Sequence, residues 1–139
     1  MNYLSGVQNI IFFVFMLMNL PVHGQNSCRS AGKGLPPGYI SDGQYHEFLV
    51  KGNTPVKIHT TFLRDIHYGL HVCPSSDFLY SIILMDKNQE HIFSQEGIKG
   101  NFNWNYIFSS TIECVIEIQL EQNIAKKIKF NLEIGYKPN

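Results

Sequence analysis

The sequence lacks an excess of charge of either sign. Its 139 residues hold 11 Lys and Arg against 11 Asp and Glu, so the formal net charge is zero with histidine neutral. Phosphate binding draws on surplus basic charge, and a nucleic acid is therefore not an expected partner. The local basic excess at Lys126, Lys127 and Lys129 is small. Compact catalytic signatures are missing too: there is no nucleophile elbow, phosphate loop, zincin helix or calcium loop. No cofactor is expected from the motifs, and a non-enzymatic protein is the favoured reading. No Asn-x-Ser/Thr acceptor with an allowed middle residue occurs, since Asn53-Thr54-Pro55 has no hydroxyl at the third position and only the poor acceptor Asn26-Ser27-Cys28 remains.

Long hydrophobic runs are absent after residue 20, and the one before it is short. Ile10 to Leu20 (IIFFVFMLMNL) is apolar apart from Asn19, has the length of a signal-peptide core, and falls short of a helix able to cross a hydrocarbon layer of ~30 Å. Pro21 ends it. Val22 and Gly24 stand at positions −3 and −1 of a cut before Gln25, where a signal peptidase accepts small residues. Residues 1–24 are thus expected to be a cleaved signal peptide, although Met1 to Asn9 carries no Lys or Arg. The remainder is expected to be secreted, with no stable membrane span.

Cysteine is scarce and odd in number: Cys28, Cys73 and Cys114. Export makes a disulfide plausible and leaves one thiol over, free or paired with a second chain as a covalent dimer.

What the chain does have is two-residue alternation. Residues 25–44, rich in Ser, Gly and Pro, read as an extended leader, because Gly32, Gly34, Pro36, Pro37 and Gly38 interrupt any long regular element. Residues 45–139 read as the folded domain. Tyr45 to Val50 is a first strand. Val56, Ile58, Thr60 and Phe62 share one face of a second, with Lys57, His59 and Thr61 on the other. Arg64 and Asp65 mark a turn, after which Ile66, Tyr68, Leu70 and Val72 alternate with His67, Gly69, His71 and Cys73, so the pair reads as a hairpin.

Phe78 to Met85 reads as a central strand covered on both sides, and His91 to Ser94 as a short one. Phe102, Trp104, Tyr106 and Phe108 alternate with Asn101, Asn103, Asn105 and Ile107. Ile112 to Leu120 and Ile128 to Tyr136 complete about eight strands. That rhythm predicts an all-β chain folded as a single antiparallel β-sandwich of jelly-roll type. Pairing of the last two strands would set Glu113 and Glu117 near Lys127 and Lys129.

Three constellations carry possible chemistry. If the first hairpin forms, His59 faces Gly69 and lies diagonal to His67 and His71, which would place three imidazoles around one zinc ion with Gly69 leaving room for it. Against this, outward strand positions are polar in any case and no supporting carboxylate is identifiable. Among the cysteines, Cys73 has outward and Cys114 inward parity, so Cys28–Cys73 is the preferred disulfide, with Cys73–Cys114 as the alternative. The four rings at 102–108 could line a ligand cavity but fit a plain core better. Asn101, Asn103 and Asn105 could bind a sugar, or simply form a soluble face.

In broad pattern, FLYSIILMDKN at Phe78 to Asn88, followed by a turn, and the late cysteine-bearing strand TIECVIEI resemble small exported jelly rolls. The GOLD domain of cargo receptors and the bacterial pre-peptidase C-terminal domain are of this kind. The resemblance implies a fold and no function. The sequence as a whole leads to a secreted binding or effector module that acts on an extracellular protein, glycan or lipid. A small zinc enzyme built on His59, His67 and His71 and a cross-linked structural component are the alternatives.

Overall fold

A computed structural model describes residues 34–139. Expectations that fall on residues 1–33, namely the signal peptide, the start of the leader and Cys28, lie outside the described residues. The described part is all β. Eight strands follow one another: β1 (Ile40–Lys51), β2 (Val56–Phe62), β3 (His67–Pro74), β4 (Tyr80–Asp86), β5 (His91–Ile98), β6 (Phe102–Ile107), β7 (Ile112–Leu120) and β8 (Lys127–Lys137).

They form two four-stranded antiparallel sheets, ordered β1-β8-β3-β6 and β2-β7-β4-β5. Each step from β1 to β4 changes sheet, and β5 to β8 return the same way, which is the double Greek key of a jelly roll. The alternation expected from the sequence is what closes it. In β7 the inward side chains Cys114, Ile116, Ile118 and Leu120 are buried, whereas Glu113, Val115, Glu117 and Gln119 face outward. Between the sheets lie Tyr80, Phe62, Phe130, Leu132 and Ile134, each with almost no solvent contact. Phe130 joins the layers, since its ring stacks on Phe48 at 5.9 Å and meets Tyr80 of the other sheet edge-on at 5.1 Å.

Two expected hairpins are corrected. β2 pairs with β7 and β3 pairs with β6 and β8, so the strands on either side of Arg64 and Asp65 belong to different sheets. β7 and β8 likewise lie in different sheets. Two of the residues expected to meet there find other partners: Glu117 with Lys57 at 3.4 Å and Lys129 with Glu47 at 2.8 Å, both surface pairs of small value. The reason is that alternation sets which side chains turn inward and says nothing about which strand lies alongside.

β1 also begins earlier than the polar composition suggests, at Ile40, with a bulge between Ser41 and Gln44 that places Gly43 at φ 87°. Just before it, the chain from Gly34 to Tyr39 crosses the outer face of the first sheet. Gly34 sits against the His71 ring, Leu35 lies over Gly135, and Tyr39 lies over Gly69, where a Cβ would meet the tyrosine ring at 2.8 Å. Residues of the neighbouring outward rows, Asn131 and Glu133, are buried although their parity points them away from the core. At the β1/β2 side, Thr60 Oγ1 donates to Gln44 Oε1 at 2.8 Å and links the two sheets. There the Asp42 carboxyl is pushed above its ordinary range by burial, opposed by hydrogen bonds donated by the Gln44 backbone N–H at 2.8 Å and Nε2 at 3.0 Å.

Candidate functional site

The histidines expected to act together are separated. His59 lies on the outer face of the β2-containing sheet, while His67 and His71 lie on the outer face of the β3-containing sheet, across the thickness of the sandwich. Gly69 offers no room for an ion, because the Tyr39 ring fills it. His71 Nδ1 is instead within 2.8 Å of Asn103 Oδ1 on β6. Among the described residues no group of three His, Cys, Asp or Glu side chains is placed to hold a metal ion.

His59 does border a depression of about 350 Å³ on the outer face of its sheet, with Thr61, Glu113, Val115 and the Lys87 side of the β4–β5 turn. It holds one imidazole, one carboxylate and one ammonium group from separate elements.

The cysteines are sorted by the same parity that the sequence displayed. Cys114 is free and buried, and its register partner on one side is Thr60 and on the other Asp86. Burial first, then the nearby Asp86 charge, pushes the Cys114 thiol up to about 11. A Cys73–Cys114 bond is not formed: the two residues lie in different sheets and Cys114 remains a thiol. Cys73 has a partner. A covalent dimer through Cys114 would require that buried side chain to turn outward.

These facts give a direct chemical test. The native protein is expected to resist iodoacetamide at Cys114 at pH 8 and to be alkylated there once unfolded, as read by mass spectrometry. Because the folded thiol keeps its proton longer than the unfolded one, its contribution to stability is complete below pH 9 and is lost as pH rises through about 11. Rapid alkylation of the native form at pH 8 would contradict the burial.

The largest departure from an ordinary core lies at the opposite side of the sandwich from β1 and β2, where β5 and β6 form the sheet edges. Phe102, Trp104, Tyr106 and Phe108 all have inward parity, as the sequence suggested. Only Phe108 is fully buried; Phe102 and Trp104 are half-buried, and Tyr106 is 47% exposed. The rings nevertheless form one row. Phe93 of β5 stacks on Trp104 at 4.9 Å and on Phe102 at 6.0 Å, Trp104 stacks on Tyr106 at 5.4 Å, and Tyr106 meets Phe108 edge-on at 4.9 Å.

The β5-containing sheet thus covers the first half of the row through Phe93 and leaves the second half open. Ile107, 45% exposed, points to the other face of the strand. Leu63, 53% exposed, is held at the same end because the β2–β3 loop is tied to the residue that follows β6 by the Asp65 N–H donating to the Phe108 carbonyl at 2.9 Å. The adjoining turn is anchored where Tyr80 Oη donates to the Gly100 carbonyl at 2.8 Å, and burial raises that phenol above the usual tyrosine range. From Asn101 to Ile112 there is no charged residue.

Aromatic side chains without neighbouring charge are the residues enriched at the cores of protein interfaces. Sequence parity found the row and missed its exposure. The signal available was the missing charge: the twelve positions from Asn101 to Ile112 carry none, while the outward rows of β2, β7 and β8 do.

No family model and no curated protein matches the chain. Solved structures similar to it include the Yersinia pseudotuberculosis-derived mitogen, at 11% identity and a TM-score of 0.52 over 72% of this chain and 90% of that one. Others are the Aeromonas hydrophila periplasmic inhibitor of g-type lysozyme PliG, at 15% identity and 0.42 over 67% and 82%, and the infectious bursal disease virus VP2 subviral particle, at 9% and 0.36 over 69% and 33%. The likeness to the mitogen shows a shared two-sheet β fold, and at this identity it shows the fold alone.

Proposed function

We propose that this chain is a secreted, non-enzymatic binding or effector module that engages an extracellular protein through the β6 side of its sandwich. The observation that carries the reading is the half-exposed aromatic row Phe102, Trp104 and Tyr106, with Ile107 exposed on the other face of the same strand, in a segment free of charge. A glycan platform needs an open ring face, and Trp104 already has Phe93 and Tyr106 stacked against it, which favours a protein over a sugar. A lipid surface is disfavoured because the segment from Asn101 to Ile112 supplies no lysine or arginine.

Export rests on the Ile10 to Gly24 segment, and a Cys28–Cys73 disulfide belongs to the same reading. Cys73 is the described cysteine that has a partner, and Cys114 is the one that is free. Such a bond would tie the leader to the outer face that Gly34 to Tyr39 already crosses.

Expressed as the full chain in a eukaryotic secretory host, the protein is expected in the medium with a mass beginning at Gln25 that rises on reduction by the hydrogens of one disulfide. The exported wild type and a Tyr106→Ala/Ile107→Ala variant are then compared on arrays of extracellular proteins, glycans and neutral phospholipid vesicles. Both substituted side chains are exposed, so the variant keeps its fold. Saturable binding to a protein that drops at least tenfold in the variant supports the reading. Binding to glycans or vesicles alone, or binding that the variant retains in full, contradicts it.

A further inference from the structure

We infer that the free edge of β6 pairs with the same edge of a second copy of this chain, making a two-fold symmetric dimer with one continuous eight-stranded sheet. The inference goes beyond the reading above, because it rests on the edge of β6 and not on an extracellular protein partner. β6 is hydrogen-bonded to β3 along one side, and among the described residues no strand pairs with its other side. Alternate residues of such a strand turn both N–H and C=O groups outward along the edge, where they template another strand.

The other three sheet edges are each protected. β1 carries Asp42, Glu47 and Lys51 and the bulge at Ser41/Gln44. β2 carries Lys57 and is linked to β1 through Thr60 and Gln44. β5 carries Glu96, and its register with β4 is twice interrupted. β6 has none of these devices: FNWNYI has no charge, no proline, no glycine and an unbroken register with β3.

The occupant follows from symmetry and charge. Antiparallel pairing of two identical strands has a two-fold axis by construction, which is the closed symmetry of an isologous dimer. Outward residues must meet outward residues across the pair, so the axis passes through a residue and not between two. The registers that pair most of β6 put it at Trp104 or at Asn105. In the first, Asn103 faces Asn105 of the second copy and Trp104 faces Trp104. In the second, Asn105 faces Asn105 and Trp104 faces Tyr106.

Both registers match rings with rings on the inner face; on the outer face the first matches Asn103 with Asn105, and the second matches Asn105 with itself and sets Asn103 against Ile107. Neither opposes like charges, because the segment has none. The exposed parts of Tyr106 and Ile107 would be covered in the process. The outward amides of β6, Asn103 and Asn105, then serve in strand pairing in place of a sugar site.

The test is the mass of the full exported chain in solution, by sedimentation velocity across a concentration series. The wild type is expected to reach twice the chain mass, under reducing as well as non-reducing conditions. Asn103→Lys/Asn105→Lys and Asn103→Glu/Asn105→Glu change exposed side chains on the outer face and leave the aromatic row intact. Each variant alone is expected to stay at the single-chain mass through like-charge repulsion, and an equimolar mixture to return to the doubled mass.

A wild type that remains at the single-chain mass at the highest concentration overturns the inference. So does a lysine variant that still doubles. The array comparison of Tyr106→Ala/Ile107→Ala reads an extracellular protein partner directly, so a monomeric wild type that binds such a protein sinks the self-pairing alone. A dimer with no binding on the arrays sinks the wider reading and leaves the self-pairing.

Discussion

Phe130→Ala is expected to lower the unfolding free energy by about 3–5 kcal/mol, the range for removing a large ring from a packed core. The ring is fully buried on β8, whose neighbours β1 and β3 place Phe48 and Pro74 opposite it. It stacks nearly parallel to Phe48 and meets Tyr80, from the other sheet, at 78°. Losing it therefore opens a void at the contact between layers and strips partners from both sheets at once. The backbone around it is held by ladders on two sides and can collapse only partly, which places the cost toward the upper part of the range.

Urea unfolding checks this. With a slope of about 1–3 kcal/mol per molar urea, the midpoint should fall by about 1 M or more at unchanged slope. Phe130→Leu, which refills most of the space, should cost clearly less. A loss below about 1 kcal/mol for the alanine variant would show that the sheets do not depend on this contact.

Gly135→Val is expected to detach the leader from the sandwich. Gly135 sits on β8 opposite Gly69 of β3 and Ser41 of β1, and a Cβ there would strike the Leu35 side chain and lie 2.5 Å from the Ile40 carbonyl oxygen. Leu35 can swing away. The Ile40 oxygen belongs to the backbone at the start of β1 and can move only if the chain before it lifts.

Overpacking of this kind costs about 1–3 kcal/mol, and its signature is local. Hydrogen exchange at Tyr39 to Ser41 should accelerate, and limited proteolysis should cut near Gly34 to Tyr39, while β7 keeps its protection. Gly135→Ala should show the same pattern in weaker form. Unchanged exchange at Tyr39 in the valine variant would mean that the leader does not rest on β8. The same result would leave the burial of Asn131 and Glu133 without the cover described here.

Most of the fold was legible strand by strand. In β7 and β8 the inward sets read from alternation, Ile116, Ile118 and Leu120, then Phe130, Leu132 and Ile134, are the residues found in the core. The same parity separated Cys73 from Cys114. The candidate metal group was not legible in this way, because it needed β2 and β3 to be neighbours as well as correctly faced. In a jelly roll, β4 and β5 are the single consecutive pair that shares a ladder among the described strands.

The exposure of Tyr106 escaped for a related reason. Its inward parity is a property of β6, while its burial depends on how far β5 and Phe93 reach over it from the other sheet. The buried Glu133 is the converse case: an outward carboxylate that reads as solvent-facing and is covered in the folded protein.

The sequence by itself determined that this protein is a two-faced β chain, which side chains form its interior, and which strand carries rings without charge. Those are local facts, written by the two-residue pleat into each segment. The tertiary structure alone decided which strands lie side by side, which histidines are kept apart, and that half of the aromatic row faces solvent. Those facts depend on contacts between residues far apart in the chain, and a pleated strand satisfies its own alternation equally well beside any partner.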